Sequence, residues 1–275
     1  MIDLQAKKIT SKYILDAVGI SGLRYHARIA DEDAGHPIEN SFSPQTAVTE
    51  WQLGVTLGSE ERATHMSRFV DELHKFTAEP ITLGRMSTLA ESIRQRLQTG
   101  EASVRAAFTW FASMKAPVSQ QNSLMSYDVE FSASSSENNE KKRLVGLQIT
   151  VPVTALCPCS KAISERGAHN QRALVTVSMK WAPSSQKMSL SSLIEMINSS
   201  GSAPIYSLLK REDEKYVTEH AYDHPVFVED LVRNVAEKIS NQDGLRSFNV
   251  RAVDRESIHA HDCYAELSMY YDEKN

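Results

Sequence analysis

Apolar and polar residues alternate along much of this chain, which is the pattern of β-strands with one buried face. In the first half the alternation occurs in four segments: residues 23–29, 51–57, 104–110 and 125–131. Between the second and third of these, apolar residues recur at helical spacing in two segments, 69–76 and 89–97. Pro80 ends the first helical segment and Gly100 follows the second, so the predicted order is ββααββ.

The second half repeats this order after a polar segment. Residues 132–142 have no hydrophobic period, which predicts an exposed loop or linker. Alternation then returns in four segments: residues 145–153, 175–179, 248–252 and 265–271. Between the second and third of these, helical spacing occurs at 190–197 and again at 227–239, where Pro225 suits the first turn. The second half is therefore also predicted to be ββααββ.

This repeat predicts an α+β protein with two tandem ββααββ modules, residues 1–137 and 138–275. Each module would have an antiparallel sheet with its helices on one face. An open sheet edge presents unpaired backbone donors and acceptors, and side-by-side association into a barrel would close such edges. We therefore expect a homo-oligomer.

Composition and charge narrow the classes of function. The formal net charge of −5 at pH 7 argues against a protein that binds nucleic acid by bulk electrostatics. A phosphorylated small molecule is compatible, because it needs only a local cluster of Lys and Arg. No segment approaches the roughly 18 apolar residues of a transmembrane helix, and the first twenty residues lack a signal-peptide core. We therefore expect a cytoplasmic protein without membrane contact, in which thiols stay reduced.

Residues 157–172 hold the densest group of reactive side chains, directly after a predicted strand. Cys157 and Cys159 flank a proline, and His169 follows within Gly-Ala-His-Asn-Gln-Arg. Zinc selects thiol and imidazole ligands, and a site with three protein ligands leaves a position for water. The one-residue spacing and the total of three cysteines do not suit a Cys₄ site. A mixed site with a carboxylate fits better, and two small buried residues at a strand end are the alternative.

Further acidic, imidazole and cationic side chains are candidates, each with a plainer explanation. The Glu-Asp-Glu run at 212–214 is either solvated surface or the source of a third metal ligand. Glu229 lies early in a predicted helix, where the helix dipole alone explains an acid. His259 and His261 suit proton transfer near neutral pH, or lie in an exposed hairpin loop. Arg68, near the start of a helix in the first half, is a candidate phosphate ligand.

Taken together, these segments resemble a known family, the prokaryotic type IB GTP cyclohydrolases I. The resemblance is carried by Cys-Pro-Cys-Ser-Lys at 157–161 and Gly-Ala-His-Asn-Gln-Arg at 167–172. Matching segments follow one another in the same order over nearly the whole chain: residues 18–25, 64–69, 213–219, 227–230 and 257–262. Such ordered matches are far more specific than one motif.

The resemblance implies the tunnelling fold, with two ββααββ modules in each subunit and assembly into a homotetramer. It implies that GTP and water are converted into 7,8-dihydroneopterin triphosphate and formate, the first step of tetrahydrofolate biosynthesis. The enzyme would be a hydrolase acting on cyclic amidine C–N bonds. A divalent metal is the expected cofactor, with zinc first and manganese or iron as other options.

The resemblance also implies roles for individual residues. Cys157, His169 and Glu214 are expected to bind the metal. Cys157, Cys159 and His259 are the expected catalytic residues, with His259 transferring protons and Cys159 lining the site. A metal held by three protein ligands lowers the pKa of its bound water towards about 7.

Substrate contacts are implied as well. Glu229 is expected to accept hydrogen bonds from the N1–H and amino group of guanine, a donor pair that adenine lacks. Lys161, Arg172 and Arg68 are candidates for the triphosphate.

Three other functions are compatible with the motifs. A nitrile-reductase-like enzyme of the same fold would use a cysteine nucleophile without a metal. A non-catalytic zinc protein would close the site with a fourth ligand. A thiol redox protein would link Cys157 to Cys159 by oxidation.

Overall fold

A single antiparallel sheet runs through the structure, a computed structural model that describes residues 8–31 and 44–271. Eight strands follow one another across the sheet in the order β1-β2-β3-β4-β5-β6-β8-β9, and a ninth, β7, pairs with β5. The strands are β1 (Leu15–Ile29), β2 (Gln45–Leu57), β3 (Glu101–Lys115), β4 (Asn122–Ser136), β5 (Leu144–Leu156), β6 (Asn170–Trp181), β7 (Ala203–Pro204), β8 (Leu245–Arg255) and β9 (Cys263–Tyr270).

Helices cover both halves of this sheet. They are α1 (Met66–Phe76), α2 (Met86–Leu97), α3 (Pro158–Ile163), α4 (Leu190–Asn198), α5 (Arg211–Asp223) and α6 (Val228–Ile239), with a 3₁₀ turn at Glu140–Lys142. The α2 helix packs on β3 and β4, α4 on β5, and α6 on β8 and β9. Of the helices in the described residues, none has the length and apolar composition needed to cross a membrane.

The core lies where the apolar residues of the strands meet the helices. In β3, Val104, Ala106 and Phe108 are buried and alternate with more exposed neighbours. Trp51 and Trp181 are completely buried in the two halves. Each large side chain removed from water contributes about 1.5–3 kcal/mol, so this alternation fixes which face of each strand turns inward.

The prediction of two tandem ββααββ modules, the tunnelling fold, is wrong. The strands of the two halves form one sheet, because β4 pairs with β5 from Asp128 opposite Thr150 to Ser134 opposite Leu144. The second half also contains α3, β7 and α5, which that order lacks. A hydrophobic period reveals strands but does not state which strands are neighbours.

The predicted polar loop at 132–142 is partly strand, since β4 continues to Ser136. Its serines contribute backbone hydrogen bonds on both sides, with Ser132 opposite Arg105 of β3 and Gly146 of β5. The predicted boundary at 137 and 138 falls between β4 and β5. Residues 1–7 and 32–43 of the first module lie outside the described residues, and the division into 1–137 and 138–275 stays a prediction.

Candidate active site

The Cys157–His169 loop joins the end of β5 to the start of β6. Cys157 is the N-terminal cap of α3, and its Sγ accepts a hydrogen bond from the Ser160 N–H at 3.4 Å. The Cys157 N–H donates to the His169 carbonyl at 3.1 Å, and the His169 N–H donates to Ser160 Oγ at 3.2 Å. These bonds hold the half-buried thiol and the imidazole in one loop, while Cys159 is exposed.

A chain of polar contacts leads from His169 into the sheet. His169 Nδ1 lies 2.8 Å from Gln171 Oε1, and Gln171 Nε2 donates to Asp254 Oδ2 at 3.5 Å. The Gln171 carbonyl oxygen only accepts, so Nδ1 carries a proton, and in the neutral imidazole Nε2 then keeps a lone pair. An imidazole in this tautomer is prepared to bind a metal or accept a proton through Nε2.

Carboxylates gather behind this chain at the end of β8. Asp254 Oδ1 and Glu256 Oε2 are buried and have no hydrogen-bond partner among the described residues. Glu256 Oε2 lies 3.8 Å from His169 Nδ1, and Cys263 Sγ lies 3.8 Å from Glu256 Oε1. Burial raises the pKa of the Cys263 thiol, and the neighbouring carboxylates raise it further.

The Asp254 carboxyl in this cluster has a raised pKa. Burial raises the pKa of its carboxyl from the ordinary 3.8 to about 6. The hydrogen bond from Gln171 opposes that rise, while the charges of Glu256 and Glu229 add to it. Asp254 is therefore partly protonated near neutral pH, at a position 3% exposed.

Glu229 and the two histidines of the last hairpin lie at the exposed side of the cluster. Glu229 is in the first turn of α6 and close enough to shift the pKa values of Asp254 and Cys263. His259 and His261 lie in the turn between β8 and β9. Their rings are stacked, with the ring centroids 5.3 Å apart. Both are exposed, so they are accessible to solvent and to a bound molecule.

Within the described residues, Glu214 does not form a metal-holding group with Cys157 and His169. It is exposed in the first turn of α5, one helical turn before Thr218. Thr218 lines a cavity of about 550 Å³ whose other wall includes Gly167 and Ala168, the residues just before His169. Glu214 is therefore one helical turn away from a residue that lines this cavity.

The residues present fit half of a metal site. Cys157 and His169 are the donor types that zinc prefers, and a backbone hydrogen bond joins the two residues. Within residues 8–31 and 44–271, however, no three His, Cys, Asp or Glu side chains come close enough to hold a metal ion. The predicted set of Cys157, His169 and Glu214 is not assembled by one copy of the described chain.

The phosphate candidates are dispersed. Lys161 donates to the carbonyl of Tyr222 and lies 4.2 Å above its ring, so it ties α3 to the end of α5. Arg172 is exposed in β6 beside the cluster. Arg68 lies in α1, which contacts β1 at the opposite edge of the sheet. Their roles stay predictions, and Arg68 is far from the Cys157–His169 loop within one chain.

Sequence reasoning missed Asp254 and Glu256. In β8 the buried face carries Phe248, Val250 and Ala252, and Asp254 takes the next inward position. A carboxylate that continues an apolar alternation is a buried polar group, and this is the signal that could have revealed it.

Solved structures with a similar fold are uricases. The chain aligns with the uricase of Arthrobacter globiformis at a TM-score of 0.57 and 8% identity, covering 94% of this chain and 95% of that one. A uricase from Bacillus fastidious aligns at a TM-score of 0.54 and 8% identity, covering 92% and 93%. At such identities the likeness concerns the fold alone, which is uricase-like.

In sequence, the chain is much more similar to another group of proteins. The chain is 41% identical over 265 residues to the GTP cyclohydrolase FolE2 of Bordetella petrii, covering 96% of this chain and 95% of that protein. It is 38% identical over 275 residues to the GTP cyclohydrolase FolE2 of Desulfovibrio desulfuricans, covering 100% of both. These relatives confirm the predicted resemblance to the GTP cyclohydrolases I. The more specific assignment to type IB stays a prediction. Because the family model described as GCHY-1, type I GTP cyclohydrolase folE2, also matches residues 1–265, the chain belongs to the type I GTP cyclohydrolase FolE2 family.

Proposed function

We propose that the Cys157–His169 loop and the carboxylates behind it open the imidazole ring of guanine in GTP. Family membership over nearly the full length makes the chain a GTP cyclohydrolase of folate biosynthesis, with GTP as its substrate. The products would be formate and 7,8-dihydroneopterin triphosphate. The observation that supports this location is the hydrogen-bonded series from His169 through Gln171 to Asp254.

The reaction needs groups that move protons at neutral pH. Water adds to C8 of guanine, the ring opens, and formate leaves, so protons must be both taken up and supplied. Asp254, with a pKa of about 6, is able to hold or release a proton in this range. His259 is exposed at the same end of the sheet and is proposed to transfer protons to the substrate.

Recognition of guanine is proposed for Glu229. A carboxylate there can accept two hydrogen bonds, from the N1–H and the amino group of guanine. Adenine has no such donor pair, so it would leave the carboxylate unpaired. Glu229 lies in the first turn of α6, where an acidic side chain complements the helix dipole.

The divalent metal belongs to the same proposal. The thiol of Cys157 and the free Nε2 of His169 support it, and zinc would supply a bound water of lowered pKa. Glu214 would have to reach the pair from its exposed position or from another copy of the chain. A homotetramer is part of the proposal too, since β1 and β9 are the outermost strands of the sheet that the described residues form. A cytoplasmic location is also part of the proposal.

The decisive experiment measures turnover of GTP by protein loaded with zinc, manganese or iron. We expect formate, and a fluorescent neopterin after oxidation of the product. Absence of both products with all three metals would sink the proposal. Family membership sets aside the predicted alternatives of a nitrile reductase, a non-catalytic zinc protein and a thiol redox protein.

Two matched pairs of variants separate the proposed roles. Glu229→Ala is expected to lose GTP binding and keep its metal, while Asp230→Asn, in the same turn, changes neither. Glu214→Gln is expected to lose metal, while Glu212→Gln, exposed in the same run, keeps it. Metal content by mass spectrometry and GTP binding by calorimetry give the two readouts. Loss of metal in Glu229→Ala would contradict the division between the glutamates.

A further inference from the structure

The Cys157–His169 loop begins where the pairing of β5 with β6 ends. The last paired residues of the two strands are Leu156 and Asn170. One step further on, the Cys157 N–H donates to the His169 carbonyl at 3.1 Å. Residues that form a hydrogen-bonded pair in an antiparallel sheet exchange two such bonds. The second bond of this pair would run from the His169 N–H to the Cys157 carbonyl.

The Ser160 hydroxyl takes the place of this second bond. The His169 N–H donates to Ser160 Oγ at 3.2 Å, and Ser160 Oγ donates to the Cys157 carbonyl at 3.1 Å. A hydroxyl has one proton and two lone pairs, so it can donate to one partner and accept from the other at the same time. One oxygen atom is therefore inserted between the backbones of Cys157 and His169.

Ser160 also contacts the side chain of Cys157. Its backbone N–H donates to Cys157 Sγ at 3.4 Å, which makes Cys157 the N-terminal cap of α3. The Ser160 carbonyl accepts from the Ser164 N–H at 3.0 Å, so α3 holds the serine in turn. Ser160 therefore bonds to Cys157 at the thiol and at the carbonyl oxygen, and to His169 at the amide.

We propose that Ser160 is a positioning residue, which sets the separation of the Cys157 thiol and the His169 imidazole for one metal ion. This inference rests on the proposed function, in which both residues bind the metal. Ser160 acts through the backbones of these two residues and does not itself hold the metal. Without the hydroxyl, the His169 N–H and the Cys157 carbonyl lose their common partner, and the two ends of the loop can move relative to each other. Metal binding would then have to restrict that movement, so the affinity for metal falls.

The test compares serine variants of the full chain. Zinc affinity is measured by competition with a chromophoric chelator, and Cys157→Ala identifies the zinc that binds elsewhere. We expect about tenfold weaker zinc binding in Ser160→Ala, because two hydrogen bonds are lost. Ser160→Thr keeps the hydroxyl and should bind zinc nearly as tightly as the unmodified chain. Ser164→Ala is the matched control, since the Ser164 hydroxyl, in the same loop, accepts from the Arg166 N–H.

Hydrogen exchange in the metal-free protein tests the hydroxyl bridge directly. The His169 amide should exchange about tenfold faster in Ser160→Ala, since its acceptor is removed. The Cys157 amide should change less, because its acceptor is the His169 carbonyl. An unchanged rate at His169, or equal changes at both amides, would overturn the proposal.

Formate release separates positioning from chemistry. At saturating zinc, Ser160→Ala should release formate from GTP at nearly the unmodified rate, because only the affinity for metal is reduced. A low rate at saturating zinc, or unchanged zinc affinity, would overturn the positioning role of Ser160. So would a loss of affinity in Ser160→Thr as large as that in Ser160→Ala. Failure of the unmodified chain to bind zinc would instead overturn the metal site in the proposed function, and this inference with it.

Discussion

Two buried aspartates in different regions of the molecule behave in opposite ways. Asp213 is 0% exposed at the start of α5, and Asp254 is 3% exposed near the end of β8. Both carboxyls are removed from water, which by itself favours the neutral acid. Their pKa values nevertheless move in opposite directions.

Asp213 is surrounded by donors. Its two oxygens accept hydrogen bonds from the N–H groups of Val118, Ser119 and Lys210, and from Ser119 Oγ at 2.6 Å. Burial would raise the pKa of this carboxyl, but these four bonds hold the pKa well below its ordinary value. Asp213 is therefore a fixed anion that anchors α5 to the turn between β3 and β4.

Asp254 has one weak donor. Gln171 donates to Oδ2 at 3.5 Å, Oδ1 has no partner in the described chain, and further carboxylates lie nearby. The same degree of burial therefore leaves a carboxyl that titrates near pH 6. The number of donors, more than depth, decides whether a buried acid is an anchor or a proton carrier.

The largest effect on stability is expected from removing Asp213, which anchors α5. Asp213→Ala leaves four donors without their acceptor, and we expect the melting temperature to fall by about 10 °C. Thermal unfolding followed by circular dichroism measures this. Glu212→Ala, exposed in the same turn, is the control and should shift the transition little. Equal shifts would mean that Asp213 is no more important than the surface around it.

The next largest effect concerns Asp254 and the dependence of stability on pH. Because the folded pKa of Asp254 is raised, its favourable contribution is complete below pH 4 and disappears as pH rises through about 6. The difference from 3.8 corresponds to at most about 3 kcal/mol. Urea unfolding of metal-free protein should show Asp254→Asn gaining stability over the unmodified chain at pH 7 but not at pH 4.

Asp243→Asn is the matched control for that experiment, since Asp243 is exposed. Its pH profile of stability should follow that of the unmodified chain. A profile for Asp254→Asn that also follows it would contradict the raised pKa.

A smaller effect is expected where Asp254 connects to His169. Gln171→Leu removes the acceptor that fixes the proton on His169 Nδ1, and we expect about tenfold weaker zinc binding. Nitrogen NMR of the imidazole should also show a loss of the Nδ1–H tautomer. Gln148→Leu in β5 is the control, because the Gln148 side-chain oxygen accepts a hydrogen bond from Ser178 and not from His169. An unchanged His169 tautomer in Gln171→Leu would contradict the proposed role of Gln171.

The smallest effect tests a single donor of the anchor. Ser119→Ala removes the hydroxyl that donates to Asp213 Oδ2 and leaves the backbone donors in place. We expect the melting temperature to fall by about 2–4 °C. Ser123→Ala in β4 removes a longer bond to the Met114 carbonyl and should matter less. A larger loss for Ser123→Ala would contradict the ranking of these donors.

Local patterns predicted the parts of the molecule that depend on neighbours in the chain. The strands and the main amphipathic helices follow from spacing, since each buries one face. Cys157 and His169 are joined by one short loop, so their proximity also follows from the motif. The helices α3 and α5 were missed, because α3 is short and α5 is largely polar.

The sequence by itself determined the family, the reactive motif and most strands. Only the tertiary structure decided that these strands make one sheet, and that Cys157, His169 and Glu214 do not form a metal-holding group within the described residues. It also decided the roles of the two aspartates. Ser119 and Asp213 are 94 residues apart, and Gln171 and Asp254 are 83 apart. Contacts over such separations depend on strand pairing and helix packing, which no local period of hydrophobicity specifies.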